Sequence, residues 1–593
     1  MASQFNRRKF LLRMAQLAMA SSLPTQFFYE QVKASASARK RRHFVHFIGY
    51  GGWESSWFHS TFSGQHLMGR SDAHVSFGAG GFEYEKRDIA LKYTSKCSSP
   101  EERELSRHPL GARLGPAMAA AMGGSDWNQT LIWKGIAHAA GHEGNNRMLI
   151  HGSVSSYAVS MSGIIAATLA QVDRRPLHYV LMATDPVKLF TNFAMAEDAA
   201  IPVCLDGVSD FASMTSLHAK DVTSQEIRAE IAQSVQKLSV EVLAKRAKLA
   251  SSQTVARAFA ASVEGANAIY GSGMAQDPEI LYLRKYYFLE GLKAVKRLYE
   301  GNEDIKRRAS IVIGASGWKY DATFESLLRV LPSYAGLPDY REFRADPNRY
   351  LASLRDIEEN PSFVSKGEHF YGNSTAIAHS AIGWLDRLRT QAGYYAFADF
   401  LIRRNLSAVV DVPAWPGMVD AHGGSAGDYL SELLSHHLTF AQFFAFQRSL
   451  QSVSLPEGGT LLDATLMVCH TEFDRKIHHE AKQSPGEADG PIGTDHGGTA
   501  SVLMAGYGVQ GGRIVGGVHE GLHSGSPTAP FLNGVFSGPL PIDPASGLPS
   551  PSGQVPNILS LAPSMVAAFG ATLPAQQVTD FKAIPALLRG EKG

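Results

Sequence analysis

Six short apolar runs recur along this chain: His43–Tyr50, Thr130–Ile136, His178–Thr184, Ala408–Val412, Thr465–Thr471 and Thr499–Gly506. None exceeds eight residues, the length of a strand rather than of a membrane span. The first breaks into Gly51-Gly52-Trp53-Glu54, so it reads as a strand whose C-terminal end enters a glycine loop. Between the runs lie segments with helical spacing, among them Ser156–Gln171, Tyr394–Arg404, Tyr429–Ser449 and Leu559–Gly570. Buried strands alternating with amphipathic helices predict an α/β fold, a three-layer αβα sandwich with helices on both faces of a mostly parallel sheet. Residues 222–301 break the alternation. Ser224–Glu264 and Glu279–Tyr299 show helical periodicity without strand runs, which predicts a helical insertion. Segments 60–105 and 520–557, rich in Gly, Ser and Pro, read as long surface loops.

Composition narrows the function classes. A chain of 593 residues has ample length to bury a core, and 44% hydrophobic residues with a full set of aromatics exclude disorder. Lys+Arg number 56 against 55 Asp+Glu, so the concentrated basic footprint of a nucleic-acid binder is missing. The three cysteines, Cys97, Cys204 and Cys469, are odd in number and far apart; they predict neither a disulfide framework nor a thiolate zinc site. Of 22 histidines, nine lie between residues 420 and 523. A metal held by this chain would therefore take nitrogen and oxygen ligands.

Residues 1–38 read as an address rather than as part of the fold. Asn6-Arg7-Arg8-Lys9-Phe10-Leu11 resembles a twin-arginine signal, a modestly apolar stretch runs from Leu11 to Phe28, and Ala36-Ser37-Ala38 supplies a small-residue cleavage site. The apolar stretch is interrupted by Arg13, Gln16 and Pro24, too short and too broken for a stable membrane span. These residues hold five of the basic and one of the acidic side chains, so the remainder, 39–593, is slightly acidic at −3. The expectation is a protein handled by the twin-arginine translocation machinery and delivered to the periplasm or cell envelope.

The chemistry-bearing residues concentrate in the last third. Val409-Val-Asp-Val-Pro413 leads to a loop presenting Asp420 and His422; residues two apart in a loop can converge on one cation, and the plain alternative is a helix-capping Asp beside a solvated His. Leu461–His470 runs straight into Thr471-Glu472-Phe473-Asp474-Arg475. A carboxylate at a strand end must be solvated, paired or metal-bound, so Glu472 is either a ligand or the ion-pair partner of Arg475, whose guanidinium also matches phosphate or sulfate oxygens. Gly493-Thr-Asp495-His496-Gly497-Gly498 places two more N/O donors in a glycine-flanked loop before a strand. Among the remaining histidines, His436 and His437 read as a partly buried helical pair and His478 and His479 as solvated. His519 and His523, four apart, have glycine-rich flanks that argue against a helix.

These segments carry a resemblance. Met418-Val419-Asp420-Ala421-His422, Thr471-Glu472-Phe473-Asp474-Arg475 and Asp495-His496-Gly497, after a first strand ending in a glycine loop and behind a twin-arginine-like start, resemble the bacterial family called domain of unknown function 1501, within the alkaline-phosphatase-like superfamily. The chain departs from the family pattern at Val419 and Asp474, where an aromatic residue and a glycine are usual, and from the superfamily at Glu54, the nearest carboxylate to where the first strand normally delivers an aspartate. The resemblance implies an alkaline-phosphatase-like sandwich binding a divalent metal (zinc, calcium or manganese) at the C-terminal edge of its sheet. It further implies a metal-dependent hydrolase acting on an anionic phosphate or sulfate ester. Asp420, His422, Glu472, Asp495, His496 and Glu54 are the metal candidates that follow, with Arg475 and His142 as catalytic candidates. Ser55 and Ser153 are the candidate nucleophiles, neither within a G-x-S-x-G elbow. The competing expectation is a non-catalytic envelope binding protein that keeps the fold.

Overall fold

The structure is a computed structural model. It describes residues 41–54, 74–76, 83–85, 116–122, 126–138, 142–153, 159–173, 175, 177–183, 202–206, 277–300, 305–306, 309–310, 312–313, 318–358, 380–415, 426–477, 494–496, 499–523, 534–577 and 581–588. The strands that build the site are β1 (His43–Ile48), β2 (Trp53–Glu54), β3 (Thr130–Ala137), β4 (Tyr179–Ala183), β5 (Val203–Asp206), β6 (Val409–Pro413), β7 (Thr465–His470), β8 (Asp474–Ile477), β9 (Thr494–His496), β10 (Thr499–Gly506) and β11 (Arg513–Gly516). The helices are α1 (Pro116–Ala121), α2 (His142–His151), α3 (Met161–Ala170), α4 (Pro278–Glu300), α5 (Ala381–Arg403), α6 (Ala426–Gln451) and α7 (Leu561–Ala568).

All six apolar runs are strands of one eight-stranded sheet, in the order β11-β3-β10-β7-β1-β6-β4-β5. β1 lies at the centre, parallel to β6 and β7; β6, β4 and β5 continue parallel on one side. On the other side β10 is antiparallel to both β7 and β3, and β11 is parallel to β3. Seven strands thus share one direction and β10 opposes them. The fold class is α/β.

Alternate residues of each strand feed two cores, as the two-residue period of a pleated strand requires. Val45 and Phe47 of β1, Val410 and Val412 of β6, and Met467 and Cys469 of β7 pack under α1, α4, α5 and α6. Phe44 and Ile48, Val409, and Leu466 and Val468 pack under α2, α3 and α7. Helix starts follow side-chain chemistry: α3 begins one residue after Ser160, whose hydroxyl accepts from Gly163 N at 3.0 Å, and Ser380 caps α5 in the same way at 3.2 Å. The helix expected over 156–171 accordingly starts at Met161. Of the expected insertion, α4 is described, and it packs against α5 and α6 within the helical layer. The first strand of a hairpin, Val518–His523 paired with Gly534–Pro539, contains His519 and His523. Among the described residues, no helix is long and apolar enough to cross a membrane; residues 1–38 lie outside them.

Candidate functional site

The C-terminal edge of the parallel strands is where the chain brings polar side chains together. β3 leads into α2 on one face, while β6 precedes α6 on the other. Connections leaving to opposite faces open the edge between them, the usual position of a ligand crevice in such sheets. Beneath that point, the segments following β1 and β7 lie against each other. Gly49 N donates to His470 O at 2.8 Å and Trp53 N to Phe473 O at 3.0 Å. The approach is close enough that a Cβ on Gly49 would meet Thr471 Cγ2 at 2.7 Å. Gly51 and Gly52 both have positive φ, 103° and 76°, a turn that glycine makes at little cost.

That turn aims the Gly51 N–H at Glu472, which accepts it at Oε1 over 2.7 Å. Asn146 of α2 reaches the other carboxylate oxygen with its amide nitrogen at 3.5 Å. Glu472 and Asn146 are both buried, and the Asn146 carbonyl oxygen has no hydrogen-bond partner among the described residues. The adjacent Asn145 amide lies 2.8 Å from His138 Nδ1, and the His138 ring sits 5.9 Å from that of Phe473. Asp474, buried one residue further on, accepts from Ser501 Oγ at 2.6 Å and Thr499 Oγ1 at 3.2 Å. The Asp474 carboxylate is therefore held by two hydroxyls of β10.

A small second sheet, β9-β8-β2, continues from this edge. β8 runs parallel to β2 and antiparallel to β9. Its register sets Glu54 opposite Arg475 on one side and His496 opposite Arg475 on the other, with Asp495 opposite Lys476. Residues from three separate stretches of sequence thus become neighbouring backbone positions, next to Glu472. His142 is the first residue of α2, three positions before Asn145. Asp420 and His422 fall between β6 and α6, outside the described residues, as does Ser55. Among the described residues, no three His, Cys, Asp or Glu side chains form a metal cluster; of the six metal candidates, Glu472 is the one whose side chain is described.

Ser153 is buried and lies two residues past the end of α2 at His151. There the His151 carbonyl accepts from Gln577 Nε2 at 3.2 Å. His437 is fully buried in α6, with its ring nitrogens 2.8 and 2.7 Å from the Ala117 and Ala294 carbonyls; it ties α6 to α1 and α4. Burial, opposed by those carbonyl contacts, lowers its pKa to about 4.

A group that periodicity passes over lies behind the edge. His46, Asp411 and His470, all in strands that read as apolar, are fully buried side by side. His46 Nε2 is 2.7 Å from His470 Nε2, and His46 Nδ1 is 3.6 Å from Asp411 Oδ1. Ser162 Oγ and Tyr179 Oη donate to the two Asp411 oxygens at 2.6 and 2.7 Å. Burial, and then the charge of His46, hold His470 well below the usual imidazole range. The one signal in sequence was the presence of His and Asp inside otherwise apolar strands.

Residues 455–521 match the family described as Protein of unknown function (DUF1501). The match covers β7 to β11 and with them Glu472, Arg475, Asp495 and His496. Comparison with curated proteins and with solved structures gives no match.

Proposed function

We propose that this chain is an exported, metal-dependent hydrolase-like protein of the alkaline-phosphatase-like superfamily, acting on phosphate or sulfate esters in the periplasm or cell envelope. The observation that carries the reading is Glu472, a buried carboxylate at the C-terminal edge of a parallel sheet, beside the row Glu54–Arg475–His496. A carboxylate buried at such an edge is costly unless it is hydrogen-bonded or bound to a cation. The fit to a hard or borderline divalent cation rests on donor chemistry. The candidates are carboxylates and imidazoles, and the Asn146 carbonyl oxygen next to Glu472 is a further oxygen donor with no hydrogen-bond partner among the described residues.

Glu472 would hold the ion together with Asp420, His422, Asp495, His496 and Glu54. When bound, a divalent ion neutralises ester oxygens and lowers the pKa of an attacking hydroxyl or water. Arg475 supplies a planar pair of donors for the nonbridging oxygens, and His142 lines the approach from α2. The twin-arginine translocation machinery is the partner that residues 1–38 imply. A second reading, a non-catalytic envelope binding protein, is favoured by the lack of a G-x-S-x-G elbow around Ser55 or Ser153 and by Glu54 after the first strand.

Elemental analysis of the purified protein, followed by aryl phosphate and aryl sulfate panels, separates the two. The expected result is about one or two divalent ions per chain and turnover of one ester class, both lost in Glu472→Gln. Metal without turnover in the wild type selects the binding reading. A wild type that takes up no zinc, calcium or manganese under any reconstitution removes the hydrolase reading, and metal retained undiminished in Asp420→Ala/His496→Ala removes the ligand assignment.

A further inference from the structure

Two asparagines stand side by side in the first half of α2, and their side chains are treated differently. The Asn145 amide is 2.8 Å from His138 Nδ1. Asn146 is 1% exposed, and its Oδ1 has no hydrogen-bond partner among the described residues. A buried carbonyl that loses water and gains no donor is costly, so it calls for a partner of another kind. Its surroundings narrow that partner. The Asn146 amide nitrogen is 3.5 Å from Glu472 Oε2, beyond the roughly 2.7–3.2 Å of an ordinary N–H···O bond, while Glu472 Oε1 takes the Gly51 N–H at 2.7 Å. The two ends of an asparagine amide exchange places on a half-turn about Cβ–Cγ, a torsion with two-fold preference. Turned over, Asn146 sets an oxygen where its nitrogen stood. Two oxygens at right angles on a cation, with bonds of about 2.3–2.6 Å, stand about 3.3–3.7 Å apart. A separation too long for a good hydrogen bond is thus the separation of two ligands. Both carriers are held by backbone: Asn146 lies within α2, and the turn bearing Glu472 is tied to the segment after β1 through the Gly49 N–H and the His470 carbonyl at 2.8 Å.

We infer that Asn146 is a further ligand of the cation at Glu472, through its amide oxygen, and that this oxygen biases the site toward calcium and manganese over zinc. The inference rests on the reading of Glu472 as a cation ligand and deepens it. Amide carbonyls belong to the oxygen shells of hard ions, whereas zinc draws on cysteine, histidine and carboxylate ligands. Raw affinity otherwise rises from manganese to zinc, so a neutral oxygen fixed on a helix is a means of selection. Removing it weakens the hard ions more than zinc.

The test uses full-length protein, stripped with a chelator and titrated calorimetrically with calcium, manganese and zinc ions. Asn146→Leu is expected to lower calcium and manganese affinity tenfold or more and zinc affinity less than threefold. Asn146→Asp removes the N–H donor and keeps an oxygen, so it retains or raises calcium affinity; it serves if Asn146→Leu does not fold. Equal losses for the three ions in Asn146→Leu overturn the bias. A loss of calcium affinity in Asn146→Asp as large as in Asn146→Leu shows that the amide acts only as a donor to Glu472, and overturns the ligand role. A second readout needs no change at Asn146 in the protein observed: wild type labelled with 13Cγ-asparagine, its Asn146 resonance assigned by its loss in Asn146→Asp. Calcium bound by the amide oxygen moves that resonance; no movement at saturating calcium overturns the assignment even where calcium binds. Calcium binding undiminished in Glu472→Gln, with the Asn146 resonance still moving, removes Glu472 and leaves Asn146 as a ligand. A wild type that binds none of the three ions overturns both.

Discussion

Asp474 shows how much of the site depends on single side chains. Its carboxylate satisfies two hydroxyls on β10, Ser501 and Thr499, in a place water does not reach. Removing the acceptor leaves both donors buried, and an unsatisfied buried group costs about 1–3 kcal/mol. Asp474→Ala is therefore expected to lose about 2–4 kcal/mol of unfolding free energy, while Ser501→Ala, which removes one donor and leaves the carboxylate bonded to Thr499, loses about 1 kcal/mol. Urea titrations of the two variants check this ordering; equal losses would show that the carboxylate does not hold β8 to β10. The same residue marks the limit of what sequence conveys. Glu472 stands out because a carboxylate ending an apolar run demands an explanation. Its partners, Gly51 and Asn146, are 421 and 326 residues away in the chain, and no local pattern announces them. His46 and Asp411 were visible as letters and silent as chemistry, because their meaning comes from the register of β1 against β6.

At the scale of elements, periodicity reveals strands and helices but not direction. The run Thr499–Gly506 reads like the other five, yet β10 alone opposes its neighbours. A strand apolar on both faces serves equally in either direction, so only its connections decide. β5, four residues long at the sheet edge, is too short to show a period at all. The N-terminal ends of β1 and β6 are joined by one side chain. Arg175 donates to the Ser407 carbonyl at 2.7 Å and the Arg42 carbonyl at 2.8 Å, and its guanidinium lies 2.7 Å from His43 Nδ1. Burial lowers its pKa to about 10, against the pull of Asp173. It remains a cation at neutral pH, bridging the Arg42 and Ser407 carbonyls. Arg175→Leu keeps apolar volume and removes the donor to the Arg42 carbonyl, while His43 Nδ1 stays 2.9 Å from the Ser407 carbonyl, so a loss of about 1–3 kcal/mol is expected. Amide hydrogen exchange should show the loss locally, as faster exchange at the starts of β1 and β6 and unchanged protection in α4. Uniform loss of protection would refute a clamp confined to that end.

For the molecule as a whole, the sheet is held between two helical layers, and cooperative unfolding exposes both cores together. Histidines kept neutral by burial then contribute to the acid limit of stability. His437 sits in one layer with its pKa lowered to about 4 by burial; His43, at the start of β1, is also held well below the imidazole range by burial and by Arg175. In the unfolded chain each takes up a proton near pH 6.5. Between about pH 6.5 and 4 the unfolded state thus binds the proton that folded His437 refuses, so stability is fully present above 6.5 and falls as pH drops through this window. For His437 alone the difference between pH 7 and pH 5 comes to about 2 kcal/mol. His437→Gln cannot titrate. The variant starts less stable at pH 7, because a shorter-reaching amide replaces a ring set between the carbonyls of α1 and α4, but its unfolding free energy should decline less between pH 7 and pH 5 than that of the wild type. Urea unfolding at the two pH values measures both slopes. If wild type and variant decline in parallel, His437 is not a source of the acid sensitivity, and the weight shifts to the histidines that flank the sheet.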